Sequence, residues 1–165
     1  MAFDPIHVTL RILHIVSGVF WVGAIAYSVL VLGRVLPRVD PPVRKQLMKQ
    51  LLPVALKYIP ITATSTITFG ILMYLYLTNF DLSTMLGILR FQILFAAMLI
   101  TLGMFTFGML IGFRTGLKIK AHLDEEKCEH MPLVGALQKR FALSNLVVFV
   151  IGVTVVALMA IAVAS

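Results

Sequence analysis

A single cysteine, Cys128, stands in the whole chain of 165 residues. That scarcity excludes an intrachain disulfide and any multi-cysteine metal cluster. Acids are few as well: seven Asp and Glu against fourteen Lys and Arg, with all charged residues making only 13% of the chain. A soluble domain is usually about a quarter charged, so this shortage argues against one. No segment alternates apolar and polar residues between regular turns, which argues against a β-barrel. Once the apolar runs are placed, no stretch remains for a soluble domain.

Hydrophobicity fills the space, at 60% of residues and a mean hydropathy of +1.01. It is gathered into four runs, 8–33, 59–79, 86–112 and 141–164. Each is long enough to cross a hydrocarbon layer, which takes ~20 residues. The predicted fold is all-α: an integral membrane four-helix bundle, one transmembrane domain over residues 1–165. Ala24-Ile25-Ala26 resembles a signal-peptide cleavage site, but the apolar run continues through Leu32, so the segment is expected to stay as a span.

The net charge of +7 reads as topology rather than nucleic-acid binding. All basic residues except Arg11 and Arg90 fall in two stretches, 34–58 and 114–140. The positive-inside rule puts both stretches in the cytoplasm and both termini outside, in the cell (plasma) membrane. The expected partners are the lipid bilayer, with the basic loops against anionic headgroups, and other membrane subunits or further copies of the chain; no nucleic acid is expected.

Asp4-Pro5 is a helix start, with Asp as N-cap and Pro at the first helical position. The helix is expected to end near Val35, before Leu36-Pro37. Asp40-Pro41-Pro42 restarts a helix. Residues 43–58 are amphipathic, with Val43, Leu47, Leu51 and Val54 on one side, and read as an interfacial helix. Pro53 and Pro60 are expected to bend the passage into the second span. That span gathers Thr62, Thr64, Ser65, Thr66 and Thr68, hydroxyls that either bond back to their own helix or line a polar path. Tyr74 and Tyr76 are expected in an outer aromatic belt. In the third span, Gly108 and Gly112 match the small-xxx-small packing motif. Helical spacing gives an inward stripe of Arg90, Leu94, Ala97, Thr101, Met104 and Gly108. A short helix and a turn at Pro132 are expected in 114–140, where Cys128, His130 and Met131 are competent soft-metal ligands.

The first span carries the densest chemistry. His7, Arg11, His14, Gly18, Trp21, Ile25 and Ser28 form one stripe at helical spacing. Ionisable groups in a lipid-crossing helix turn toward protein, ligand or water. His7 and His14 stand two turns apart, ~10 Å along the axis. They are too far apart to share one metal ion, but either is suited to be an axial haem ligand. The alternative is that His14 hydrogen-bonds a neighbouring helix while Arg11 and Arg90 reach the headgroups. The nine methionines allow a copper reading, since thioethers suit Cu(I), although Met98, Met104 and Met109 are not on one tight face and methionine is also ordinary filler in helical cores.

The stretch LHIVSGVFWVGAIAY, through Leu13, His14, Ile15, Trp21, Gly23 and Tyr27, resembles the first span of the membrane superfamily of CopD-type copper-resistance proteins and HemJ-type protoporphyrinogen oxidases. Arg90 entering the third span, and Arg140 and Asn145 entering the fourth, extend the resemblance. It implies haem b on His14, with Arg90 in the place of a lysine; arginine cannot coordinate iron, so it would pair with a propionate. Val29, Leu30, Val35 and Leu146 replace a proline–arginine pair, a histidine and a glutamate of the HemJ branch, which removes charges that accompany the porphyrinogen oxidation. The expectation is a haem b protein with an electron-transfer or redox role. Its cofactor residues are His14, Arg11, Arg90, His7 and Trp21, its metal ligands His14 and His7, and no catalytic residue is assigned. The alternatives are copper import or resistance, with His7, His14 and methionines as a relay, and a non-catalytic accessory or structural subunit.

Overall fold

The computed structural model describes residues 4–124 and 131–164. Helix α1 (Pro5–Tyr27) opens on Asp4, whose carboxylate accepts from the amides of Ile6 and His7. It passes through a π turn, Ser28–Leu32, and winds on to Arg38. Helix α2 (Pro41–Leu77) is one helix of 37 residues. A short α3 (Leu82–Gly87) leads into α4 (Leu89–Phe107), a second π turn at Gly108–Phe113, and α5 (Arg114–Asp124). Helix α6 (Met131–Ala164) completes the chain. No strand occurs among the described residues.

Four helical rods are long and apolar enough to cross a membrane: Pro5–Arg38, Pro41–Leu77, Leu89–Leu123 and Gly135–Ala162. Only 17–22% of the most apolar window in each is buried within the protein. Val19, Phe20, Ile61, Leu143 and Val150 are among the large side chains left on the outside, an arrangement suited to a lipid solvent. The rods pack as a ring: first on second, second on third, third on fourth, fourth on first. The glycines of the third rod serve this packing. A Cβ on Gly112 would stand 3.3 Å from Ser144 Oγ, and one on Gly108 would stand 3.7 Å from a methyl of Val148.

Several expectations change in detail. Residues 43–58 are not a separate helix but the first half of α2, which runs on through Pro53 and Pro60. Each proline removes one backbone hydrogen bond, and the long helix carries both. The face that packs is Met48, Leu52 and Leu56, while Val43 and Val54 are exposed. The reason lies in α5, which continues the third rod and offers Ile119 and Leu123. Leu52, Ile119 and Leu123 form a small core, joined by Leu137 and Phe141 of α6. The expected short helix in 114–140 is this α5 rather than an isolated element. A second core, of Trp21, Ile25, Ala63, Met104 and Val148, sits at mid-bundle. Tyr74 belongs to no outer belt: it is buried edge-on against Phe91, with ring centroids 6.2 Å apart. Its neighbour Tyr76 is at the surface, where its hydroxyl donates to Asp4 at 2.8 Å.

Candidate functional site

The first-span stripe faces inward from His14 onward. Trp21 and Ile25 are buried, and His14, Gly18 and Ser28 are half-buried. His7 is half-buried near the start of α1, and Arg11 is exposed. The exposed Arg11 turns its charge to the surroundings, as an ionisable group in such a helix must. On the third rod Ala97, Thr101 and Met104 are buried as the spacing predicts, and Arg90 is exposed. Neither Arg11 nor Arg90 forms an ion pair or side-chain hydrogen bond among the described residues.

His14 is held by α2. Its Nδ1 lies 2.9 Å from the backbone oxygen of Thr66, the bond to a neighbouring helix that the alternative reading of His14 expects. A carbonyl only accepts, so Nδ1 is the protonated nitrogen, and in the neutral ring Nε2 keeps the lone pair. Gly70, one turn further along α2, lies beneath the ring. A Cβ there would meet His14 Cε1 at 2.9 Å and Nδ1 at 3.0 Å. Thr66 closes the other side, its methyl 3.5 Å from where a Cβ on Gly18 would stand. Nε2 makes no hydrogen bond to protein, and no buried side-chain nitrogen or oxygen is left unpartnered among the described residues. The Nε2 edge therefore reaches the surface of the bundle.

The hydroxyls of the second span follow the self-bonding alternative. Thr62 donates to Tyr58 O and Thr66 to Thr62 O, while Thr64 and Thr68 are exposed. They do not form a continuous lining.

Trp21 belongs to a different feature, a cavity of about 60 Å³ between the rods. Met104, Met109, Phe105 and Asn145 share its wall with Trp21, and no charged residue does. His7 and His14 are absent from that wall. No cluster of three or more His, Cys, Asp or Glu suited to a metal ion occurs among the described residues. Cys128 and His130 lie outside the described residues, and so does the side chain of Met131.

Sequence reasoning missed Gly70 and the carbonyl of Thr66. Gly70 had a signal: it is the only glycine in α2. A glycine inside a helix weakens it and usually marks close approach by a neighbour. The carbonyl had none, because every residue carries one.

Compared with family models, curated proteins and solved structures, the chain matches none.

Proposed function

We propose that the chain is a multi-pass protein of the cell membrane, related to the CopD/HemJ-like superfamily, that binds haem b through His14 and serves an electron-transfer or redox role. The positive-inside rule supports both termini outside and the basic ends of the rods at the cytoplasmic headgroups. The observation that carries the haem reading is the 2.9 Å contact of His14 Nδ1 with Thr66 O. Metal-ligating histidines commonly donate their second ring nitrogen to a carbonyl, which fixes the tautomer and aims the lone pair. Gly70 adds a second constraint by leaving the ring room to lie flat against α2.

The donor set fits the group. His14 Nε2 is a haem ligand by type, and Arg11 and Arg90 are exposed cations toward the same end, suited to propionates. The interior cavity does not fit it: about 60 Å³ is less than the ~150 Å³ that admits a single benzene ring. The haem seat is therefore the flank of the bundle beside His14. Bound there, haem supplies one-electron chemistry at iron. His14 holds it, Thr66 and Gly70 orient His14, and Trp21 is not part of the seat.

The test is the absorption spectrum of full-length protein purified from cells supplied with haem. A Soret band and a pyridine haemochrome are expected, both lost in His14→Ala and retained in His7→Ala, with helical circular dichroism unchanged. A colourless wild-type protein would sink the proposal.

A further inference from the structure

The cavity between the rods is a cleft that follows the bundle axis. Gly108 and Gly112 of the third rod lie against Val148 and Ser144 of α6, so that column packs on the fourth rod. The column beside it, Phe105, Met109 and Phe113, is half-buried and shares the cavity wall with Ala55, Ile59 and Pro60 of α2. The cleft therefore opens between the second and third rods. On α2 its wall runs from Ala55 to Ala63, ~12 Å of helix. That is close to half of the ~30 Å hydrocarbon layer, the depth of one leaflet. Its inner end, at Trp21, Met104 and Val148, belongs to the mid-bundle core.

The other end of the cleft is flanked by cations. Leu56, Phe113 and Phe141 form the wall there, and each has an exposed basic neighbour in the chain: Lys57, Arg114 and Arg140. Gly116 fixes the three rods at one level, since a Cβ on it would stand 2.8 Å from Leu56 Cδ2 and 3.3 Å from Phe141 Cε2. None of the three cations forms an ion pair among the described residues. Basic side chains at the edge of an apolar zone extend to the headgroups and attract anionic ones.

These features narrow the occupant. No charged residue lines the cleft, so what enters it is apolar. About 60 Å³, where one water takes ~10–15 Å³ and a benzene ring ~150 Å³, holds a short row of methylenes but no ring. A polypeptide is a poor fit, because its backbone N–H and C=O groups would go unpaired in such a wall. The mouth calls for a negative charge on the same molecule. An anionic phospholipid has both parts, an acyl chain that runs from headgroup to midplane and a phosphate at the level of the cations.

We infer that the cleft between the second and third rods is a binding site for one acyl chain of an anionic phospholipid, with Lys57, Arg114 and Arg140 holding the headgroup. The inference rests on the membrane reading proposed above but not on haem, which uses other residues.

Trp21, the only tryptophan, is 4% exposed and reports on the inner end of the cleft. The experiment places the full-length protein in phosphatidylcholine vesicles and adds phosphatidylglycerol brominated midway along its chains. Tryptophan fluorescence is read against the same addition of unbrominated lipid, so any quenching by a bound cofactor cancels. Saturable quenching is expected, half complete at a mole fraction roughly tenfold lower than brominated phosphatidylcholine requires. The triple variant Lys57→Gln, Arg114→Gln, Arg140→Gln should lose that preference. Ala55→Leu and, from the opposite wall, Met109→Phe should each fill the cleft and remove the saturable quenching with helical circular dichroism unchanged, whereas lipid lying loosely around the bundle would quench these variants as before. Equal quenching by the two lipids, quenching without saturation, or saturable quenching kept in both filled variants would each overturn the site. Failure of the protein to insert into the vesicles would overturn the membrane reading with it; insertion without selective quenching would overturn the lipid site alone.

Discussion

The two ends of the bundle use the same rods but are held by different forces. At the basic end, α2 and α5 bury Leu52 against Ile119 and Leu123 in a compact leucine-rich core. At the other end, α1 and α2 are fastened by the His14–Thr66 hydrogen bond and by close approach at Gly70. The solvent explains the difference. Helix α2 has 37 residues, ~55 Å of helix at 1.5 Å per residue, against a hydrocarbon layer of ~30 Å. In the proposed topology its basic half, with Arg44, Lys45 and Lys49, projects past the layer toward headgroups and water, where burying leucine is a true hydrophobic gain. Within lipid that gain vanishes, because the tails are as apolar as the side chains, and association depends on packing and interhelical hydrogen bonds. The contrast also separates scaffold from site: the apolar core at one end holds the rods together, and the polar contact at the other end holds the candidate ligand.

The largest break in this comparison is predicted at the basic end. Leu52→Ala removes a side chain 3% exposed and leaves a cavity that neighbours only partly fill, at a cost of ~2–5 kcal/mol. Thermal unfolding in detergent should show that loss, and any Soret band should keep its position and intensity per folded protein. A spectrum that changed with Leu52→Ala would show that the two ends are not independent.

A smaller loss with a larger functional signature is predicted at the other end. Gly70→Ala places a methyl 2.9 Å from His14 Cε1, so the ring must leave either its bond to Thr66 or its place against α2. Overpacking of this kind costs ~1–3 kcal/mol, partly offset by up to ~1 kcal/mol from alanine's better helix propensity. Haem retention should fall even though His14 itself is intact. Gly116 gives the contrast. A Cβ there would come within 2.8 Å of Leu56 Cδ2, but that atom ends a flexible side chain and can rotate away. If Gly70→Ala kept full haem occupancy, the orienting role of the glycine would be lost.

How legible this was depended on the period of the chemistry. The runs of Val, Leu and Ile specify helices of spanning length, and the buried Ala97, Thr101 and Met104 follow from α-helical spacing alone. Asp4 was readable as a cap because capping is local. The continuity of α2 was not, because prolines and charges suggest a break, while the reason to continue lies on α5, about seventy residues away from Leu52. The two π turns were invisible for a related reason: no local residue pattern demands them. His14 stood out by type, but its tautomer depends on a carbonyl 52 residues away.

The smallest effect predicted concerns the acids, and it sharpens the same contrast. Asp4 and Asp81 cap helices with their carboxylates, whereas Asp40, at the basic end, makes no side-chain cap bond. The hydroxyl of Ser83, that of Thr84 and their two amides hold Asp81 down from 3.8 to about 2. The hydroxyl of Tyr76 is the main influence that lowers Asp4. A carboxyl depressed in the folded state contributes stability that is fully present above its unfolded value and lost as pH falls through its folded one. For Asp81 that window runs from 3.8 down to about 2. Acid should therefore loosen the Asp81 cap while leaving the Leu52 core untouched. Carboxyl carbon shifts followed by NMR should give an Asp81 midpoint near 2 in the wild type, moving toward 3.8 when Ser83→Ala and Thr84→Val remove both hydroxyls. A midpoint that stayed put would mean that the helix amides alone hold the charge.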